Sequence, residues 1–172
     1  MADQNITDTS SAIEPSPKLR KHAARNRSLR SMQDNVPHHA TDRREPRRAA
    51  LALERAQACA RIADDNRAKD IMLLDLRQTT PLVDFFVIAT AATRRQGNAI
   101  ASEIDQAMKK LGEAKLGLEG SEEGRWILID YGDFVVHIFS SEDRAYYALE
   151  EIWGDAPQLD LNEQLPDASQ PE

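Results

Sequence analysis

The stretch EGSEEGRWILIDYGDFVVHIF, Glu119 to Phe139, decides the fold. In an extended chain Trp126, Leu128 and Asp130 fall on one side and Ile127, Ile129 and Tyr131 on the other, the period of two that marks a strand. The tetrapeptide Asp130-Tyr131-Gly132-Asp133 interrupts the apolar run, and Gly132 can take the positive φ that a tight reversal needs. Phe134 to Phe139, rich in β-branched and aromatic residues, reads as the returning strand of a hairpin. Asp130 and His137 sit within these apolar runs, where an unpartnered charge is costly.

Outward from the hairpin, Lys115 to Leu118 reads as a short strand leading into Glu119-Gly120. Before it, Thr93-Arg94-Arg95-Gln96 fits a capping box, and Ile100, Ile104, Ala107, Met108 and Leu111 form one helical face that Gly112 terminates. Asp84 to Thr90 and Ile71 to Leu76 are almost wholly apolar, as strands covered on both faces are, and Pro81 separates them. The spacing of Ala52, Ala56, Cys59, Ile62 and Ala63 predicts a helix from about Arg48 to Asn66. Beyond the hairpin, a helix is expected from about Glu142 to Trp153, capped by Ser140 or Ser141 and ended by Gly154 and Pro157. Within it Arg144, Tyr147, Glu150 and Trp153 suggest packing together with an Arg144–Glu150 or Arg144–Asp130 ion pair. The order is helix, two strands, helix, three strands, helix: an α/β fold with a mixed sheet of about five strands packed with helices.

The 172 residues suit one domain with tails, and the charge of −7 is unevenly spread. Residues 1–48 hold 10 Lys/Arg against 6 Asp/Glu, residues 49–154 hold 12 against 18, and residues 155–172 hold 5 acids and no base. The first segment reads as a disordered basic arm, the second as the folded domain and the third as an acidic disordered tail. The arm's cluster Lys18 to Arg30 could touch nucleic-acid phosphates or be a solvated tail. An acidic domain argues against a general nucleic-acid binder and suits a partner with a basic surface. A single cysteine, Cys59, on an apolar stripe reads as a small core residue in a cytosolic chain without disulfides, and no apolar run is long enough to span a membrane.

Glu119-Gly120, Trp126, Asp130-x-Gly132-Asp133 and Val136-His137 together resemble the ribosomal silencing factor family, also called Iojap-related. Asp84-Phe85-Phe86-Val87-Ile88, Arg95-Gln96 and Arg144-x-x-Tyr147-x-Leu149-Glu150-x-x-Trp153 agree, in the expected order over residues 50 to 154. Ala91 stands where the family commonly has Gly at the end of the second strand. The resemblance implies a topology related to the nucleotidyltransferases. Those enzymes hold two metal ions on carboxylates one residue apart, following a Gly-Ser. Gly120-Ser121 is present, but Asp130 and Asp133 are three apart across a turn and do not share a face. With His22, His38 and His39 in the arm and no phosphate loop, the chain reads as a non-enzyme without metal or cofactor.

The resemblance further implies binding to the large ribosomal subunit, through large-subunit ribosomal protein fourteen, and a steric block on joining of the small subunit that represses translation in starvation. The expected contact lies near the Trp126 strand and the hairpin turn: Trp126 and Tyr131 as aromatic anchors, Asp130 and Asp133 meeting Lys or Arg, with Glu119 adding to them. Trp126 is equally an interior aromatic on this reading, and Asp84 is divided between capping and binding. Any phosphates that the basic arm Lys18 to Arg30 touches would, with this resemblance, be those of ribosomal RNA. The free protein could form a homodimer through an uncovered sheet edge. Two other readings are a nucleotidyltransferase-like enzyme with atypical ligands and an RNA-binding assembly factor working through the arm.

Overall fold

The computed structural model describes residues 44–162. Helix α1 (Arg44–Asp65) is followed by β1 (Lys69–Asp75), β2 (Phe85–Ala91), α2 (Arg94–Lys110), β3 (Gly117–Glu119), β4 (Trp126–Asp130) and β5 (Phe134–Ser140). Two short helices, α3 (Ser141–Tyr147) and α4 (Leu149–Ile152), and a final strand β6 (Gln158–Leu159) complete it. The sheet order is β3-β4-β5-β2-β1-β6. Only the β2–β5 pair is parallel, so the sheet is mixed.

Every residue of β2 is buried, as its continuous apolar run requires of a strand covered on both sides. Phe85, Val87, Ala89 and Ala91 face α1 and α2, with Ile127, Ile129, Tyr131, Phe134, Val136 and Ile138 beside them. Phe86 and Ile88 face the other way, into a second cluster with Leu74, Trp126, Phe139, Leu149 and Trp153. The alternating sides read from the hairpin are therefore those observed. Burying each such large side chain contributes about 1.5–3 kcal/mol against leaving it in water.

Small residues bring the helices close. The α1 stripe of Ala52, Ala56, Cys59, Ala60 and Ala63 is buried, and a Cβ added to Gly97 of α2 would stand 3.4 Å from Ile127 Cδ1 and 3.5 Å from Ala91 Cβ. The Thr93 hydroxyl accepts from the Gln96 amide at 3.1 Å, but the return half of the expected box shifts by one residue. Gln96 Oε1 accepts from Ala92 N–H at 2.7 Å, and its Nε2 donates to the carbonyls of Asn66 and Arg67, tying α2 to the end of α1.

The expected α/β class with a mixed sheet is the one observed, while its strand count and two boundaries are revised. The sheet has six strands, because β6 pairs with β1 in the register Leu73–Leu159 and Leu74–Gln158, and Arg61 Nη1 donates to the Leu161 carbonyl at 3.0 Å. Residues 155–162 of the expected tail are thus part of the fold, while residues 163–172 lie outside the described residues. The boundary expected after residue 48 falls inside α1, and the remainder of the basic arm, including Lys18 to Arg30, also lies outside them.

The helix expected from Glu142 to Trp153 is broken at Ala148, which adopts φ 40, ψ 51. On one continuous helix Leu149 and Trp153 would lie roughly 140° and 180° around from Arg144, on the opposite side. The left-handed residue lets all three turn toward the sheet. Arg144 is buried there, its Nε donating to Glu150 at 2.7 Å and its Nη1 to Thr90 Oγ1 at 3.3 Å, so Glu150 is the partner and Asp130 is not. Among the described residues no helix is long and apolar enough to cross a membrane.

At the end of β1 the Asp75 carboxylate accepts from the Arg77 backbone N–H at 3.1 Å, from Nε at 2.9 Å and from Nη2 at 2.6 Å. Burial pushes this carboxyl up, but the Arg77 bonds outweigh burial and hold it below the ordinary carboxylate value. A carboxyl held lower in the folded than in the unfolded chain stabilises the fold above the ordinary range and loses that contribution as pH falls through the folded value. Asp75→Asn is expected to melt at a lower temperature at neutral pH, with the gap to wild type closing below about pH 4. Thermal melts of both proteins across the acid range check this, and a gap independent of pH would contradict it.

Candidate functional site

The β4–β5 hairpin is fixed at its turn by three sets of bonds. Gly132 takes φ 87, and its amide donates to Asp130 Oδ1 at 2.8 Å, closing an Asx turn. Asp133 receives the Arg48 guanidinium of α1 in a two-bond pair, with Nε at 2.8 Å from Oδ2. The Asp133 carbonyl accepts from the amides of Asp84 at 2.8 Å and Phe85 at 3.3 Å. The turn is thereby anchored to both α1 and the start of β2.

The expected contact residues divide into two groups. Trp126 is 1% exposed: its ring stacks on Phe139 at 4.7 Å and leans on Tyr147 at 4.8 Å. Its indole N–H donates to His137 Nδ1 at 3.2 Å in the interior, so Nδ1 is the unprotonated nitrogen in that bond. Tyr131 is 7% exposed and stacks on Phe134 at 4.8 Å; burial pushes its phenol pKa up, with the nearby Cys59, Asp105 and Glu113 adding to the shift. Neither ring can pack on a partner from where it sits. Of the two alternatives for Trp126 the interior one is observed, and Tyr131 is buried as well, because the strand alternation turns each toward a covered face.

Asp84, Glu119, Asp130 and Asp133 are half-buried. Asp84 and Asp133 meet through the backbone at the turn. Asp130 faces Gly117 and Leu128 faces Glu119 across β3–β4, which makes Asp130 and Glu119 diagonal neighbours on one sheet face. The row continues inward through His137 to Ile88. The structure thus brings Asp84, Asp130 and Asp133 to the turn end of the hairpin with Glu119 diagonal to Asp130 on β3, while Trp126 lies at the opposite end of β4, paired with Phe139.

This arrangement offers little to a chemical reaction. Asp130 serves a turn amide while Asp133 faces α1, so the two do not converge on one point. Among the described residues no group of three or more His, Cys, Asp or Glu could hold a metal ion. Cys59 is fully buried, and burial pushes its thiol up to about 12, far from a reactive thiolate. An open groove of about 630 Å³ between α1 and α2 is lined by Ile62, Ala99, Ser102, Glu103, Gln106, Ala107 and Lys110. It lies on the helix face, away from the hairpin turn.

Among the described residues the large apolar side chains that reach solvent are Leu116 at 73%, Tyr146 at 71%, Leu82 at 50%, Leu111 at 45%, Leu51 at 44% and Leu118 at 41% exposed; no local pattern marks the leucines, and Leu111, expected on the apolar face of α2, is thereby corrected. Tyr146 rests edge-on against Tyr147 at 5.0 Å. The phase of α3, set by Asp143 and Arg144 facing inward, is the signal that would have distinguished Tyr146 from its neighbour.

The sequence matches the family described as ribosomal silencing factor during starvation over residues 46–172. A Bacillus subtilis protein named ribosomal silencing factor RsfS is 43% identical over 107 residues, which span 62% of this chain and 87% of that protein. A chloroplastic protein named Iojap from Arabidopsis thaliana is 38% identical over 123 residues, spanning 71% of this chain and 50% of that one. A crystal structure of a Chromobacterium violaceum protein superposes with a TM-score of 0.58 at 31% identity, covering 69% of this chain and 96% of that one.

The interior placement of Trp126 has a measurable consequence. Trp126→Ala is expected to lose about 3–5 kcal/mol of stability. Trp126→Phe keeps most of the apolar volume but takes the N–H from His137, at a cost of about 1–3 kcal/mol. Urea unfolding midpoints measure both, and wild-type stability in the alanine variant would place the ring on the surface.

Proposed function

The chain belongs to the ribosomal silencing factor family, and on that premise we propose that it binds the large ribosomal subunit and bars the small one. The contact is with large-subunit ribosomal protein fourteen, on the face that meets the small subunit. Ribosome-associated silencing of translation is the role, and starvation is its setting. Blocking a surface needs no bond made or broken. It needs a rigid body held in place, and helices on both faces of a six-stranded sheet supply that stiffness.

The observation that carries the reading is the half-exposed carboxylate group of Asp84, Glu119, Asp130 and Asp133 at the hairpin end. Carboxylates so placed attract a basic protein surface and set the register of docking. Trp126 and Tyr131 contribute indirectly, by packing the hairpin into the two hydrophobic clusters. The site of action is the cytoplasm, where the ribosomes to be silenced are.

Co-sedimentation of the full chain with purified large subunits, followed by addition of small subunits, tests the reading. Binding together with a reduced yield of joined ribosomes is expected. Binding that leaves joining unchanged would refute the blocking role, and failure to bind would refute the reading entirely. Asp130→Asn keeps an acceptor for the Gly132 amide while removing the charge. It is expected to weaken binding about threefold to tenfold and to lessen its sensitivity to salt, with unfolding unchanged.

A further inference from the structure

We propose that Leu82 and Leu116, one on either side of the β4–β5 turn, are the apolar anchors through which this end of the sheet holds a basic protein surface. This rests on the reading above and names the side chains that make its contact.

Strand pairing places both leucines at the turn. The β4–β5 turn, the start of β3 and the start of β2 lie at one end of the sheet, since Gly117 pairs with Asp130 and Phe85 with Phe134. In the order β3-β4-β5-β2, three strand spacings separate the first strand from the last, about 14 Å. Leu116 leads into β3. Its amide donates to the Asp130 carbonyl at 2.7 Å, and its Cδ1 lies 3.2 Å from where a Cβ on Gly132 would stand. Leu82 leads into β2, just before Asp84, whose amide donates to the Asp133 carbonyl at 2.8 Å.

An exposed leucine standing alone calls for no explanation, because folded surfaces carry many. These two are exposed on backbone that is held in place. The Leu82 amide donates to Thr80 Oγ1 at 3.3 Å, Thr80 is itself buried, and Val83 is buried in the second cluster. Leu116 is bonded to the end of β4. Side chains presented on rigid segments lose little freedom when a partner covers them. Trp126 and Tyr131 are withdrawn into the interior, and Tyr146 stands at the other end of the sheet, on the helix that follows the close of β5 at Ser140. The apolar contact at the turn therefore falls to the two leucines.

Charge selects the partner. Asp130 lies between the leucines, accepts from the Gly132 amide through Oδ1 and forms no ion pair among the described residues. Around it Arg48, Arg77 and Lys115 are already engaged, with Asp133, with Asp75 at 2.6 Å and with Asp105 at 3.0 Å. The charge of Asp130 is thus open to a Lys or Arg of the partner, set between two apolar recesses that take the leucines. A second copy docked by the same end would set acidic turn against acidic turn, and facing like charges suppress that pairing.

Binding of the full chain to purified large subunits, measured at low and at high salt, tests this. Leu82→Ala and Leu116→Ala are each expected to weaken binding about fivefold to tenfold, by the same factor at both salts because an apolar contact is not screened, with the unfolding midpoint unchanged. Leu82→Met and Leu116→Met, close to leucine in volume, are expected to bind as the wild type does. Tyr146→Ala is expected to leave binding unchanged. If Leu82→Ala melts early, Leu116→Ala, at the more exposed position, decides alone. Wild-type binding by either folded alanine variant overturns the inference and leaves the proposed function standing, and so does a loss confined to Tyr146→Ala. Self-association of the free chain that the alanine variants abolish also overturns it, since a second copy is then what the leucines hold. If the wild-type chain does not bind large subunits, the proposed function falls and this inference with it.

Discussion

Seven consecutive residues of β2 pair in parallel with seven of β5, from Phe85 beside Phe134 to Ala91 beside Ser140, and every residue of β2 is buried. Two antiparallel units meet along this seam, β1–β2 on one side and β4–β5 on the other. A parallel pair needs a long connection, and α2 supplies part of it, crossing the face where Gly97 and Ala91 permit close approach. The other face gets its cover from α3 and α4, whose change of direction at Ala148 is what closes it. A fault in the seam would uncover both hydrophobic clusters together.

A polar group enclosed by a sheet covered on both faces needs a partner there, and two groups show how one is found. His137 accepts from the Trp126 indole, so a ring conspicuous in the sequence stabilises a buried histidine from within the fold. Arg144 carries its charge beneath α3 and finds Glu150, Thr90 and the Met72 sulfur there. Breaking such a buried pair from one side is strongly destabilising, because the remaining charge has no water to turn to. The Arg144–Tyr147–Glu150–Trp153 pattern is accordingly an instruction for closing the second face.

With the aromatics inside, the half-buried carboxylates of Asp84, Glu119, Asp130 and Asp133 and the exposed side chains of Leu116, Leu118 and Tyr146 are what the rim of the fold presents. Acids steer a basic surface over a distance, while exposed leucines act only on contact.

The sequence by itself determined the hairpin, its turn at Gly132, the helices α1 and α2, the mixed α/β class and the family, because each depends on local periodicity or on short ordered motifs. It also determined which faces of β4 carry Trp126 and Ile127, since alternation is a property of the strand alone. The tertiary structure decided which of those faces are covered. Trp126 and Tyr131 are interior because helices lie over both sides of the sheet, and no local pattern distinguishes a covered face from a bare one. It decided β6 as well, two residues whose strand character comes from pairing with β1, and the break at Ala148, which exists because Arg144 and Trp153 must reach the same surface from opposite sides of a helix. Periodicity is written in neighbours along the chain, whereas burial and pairing depend on residues far apart in it.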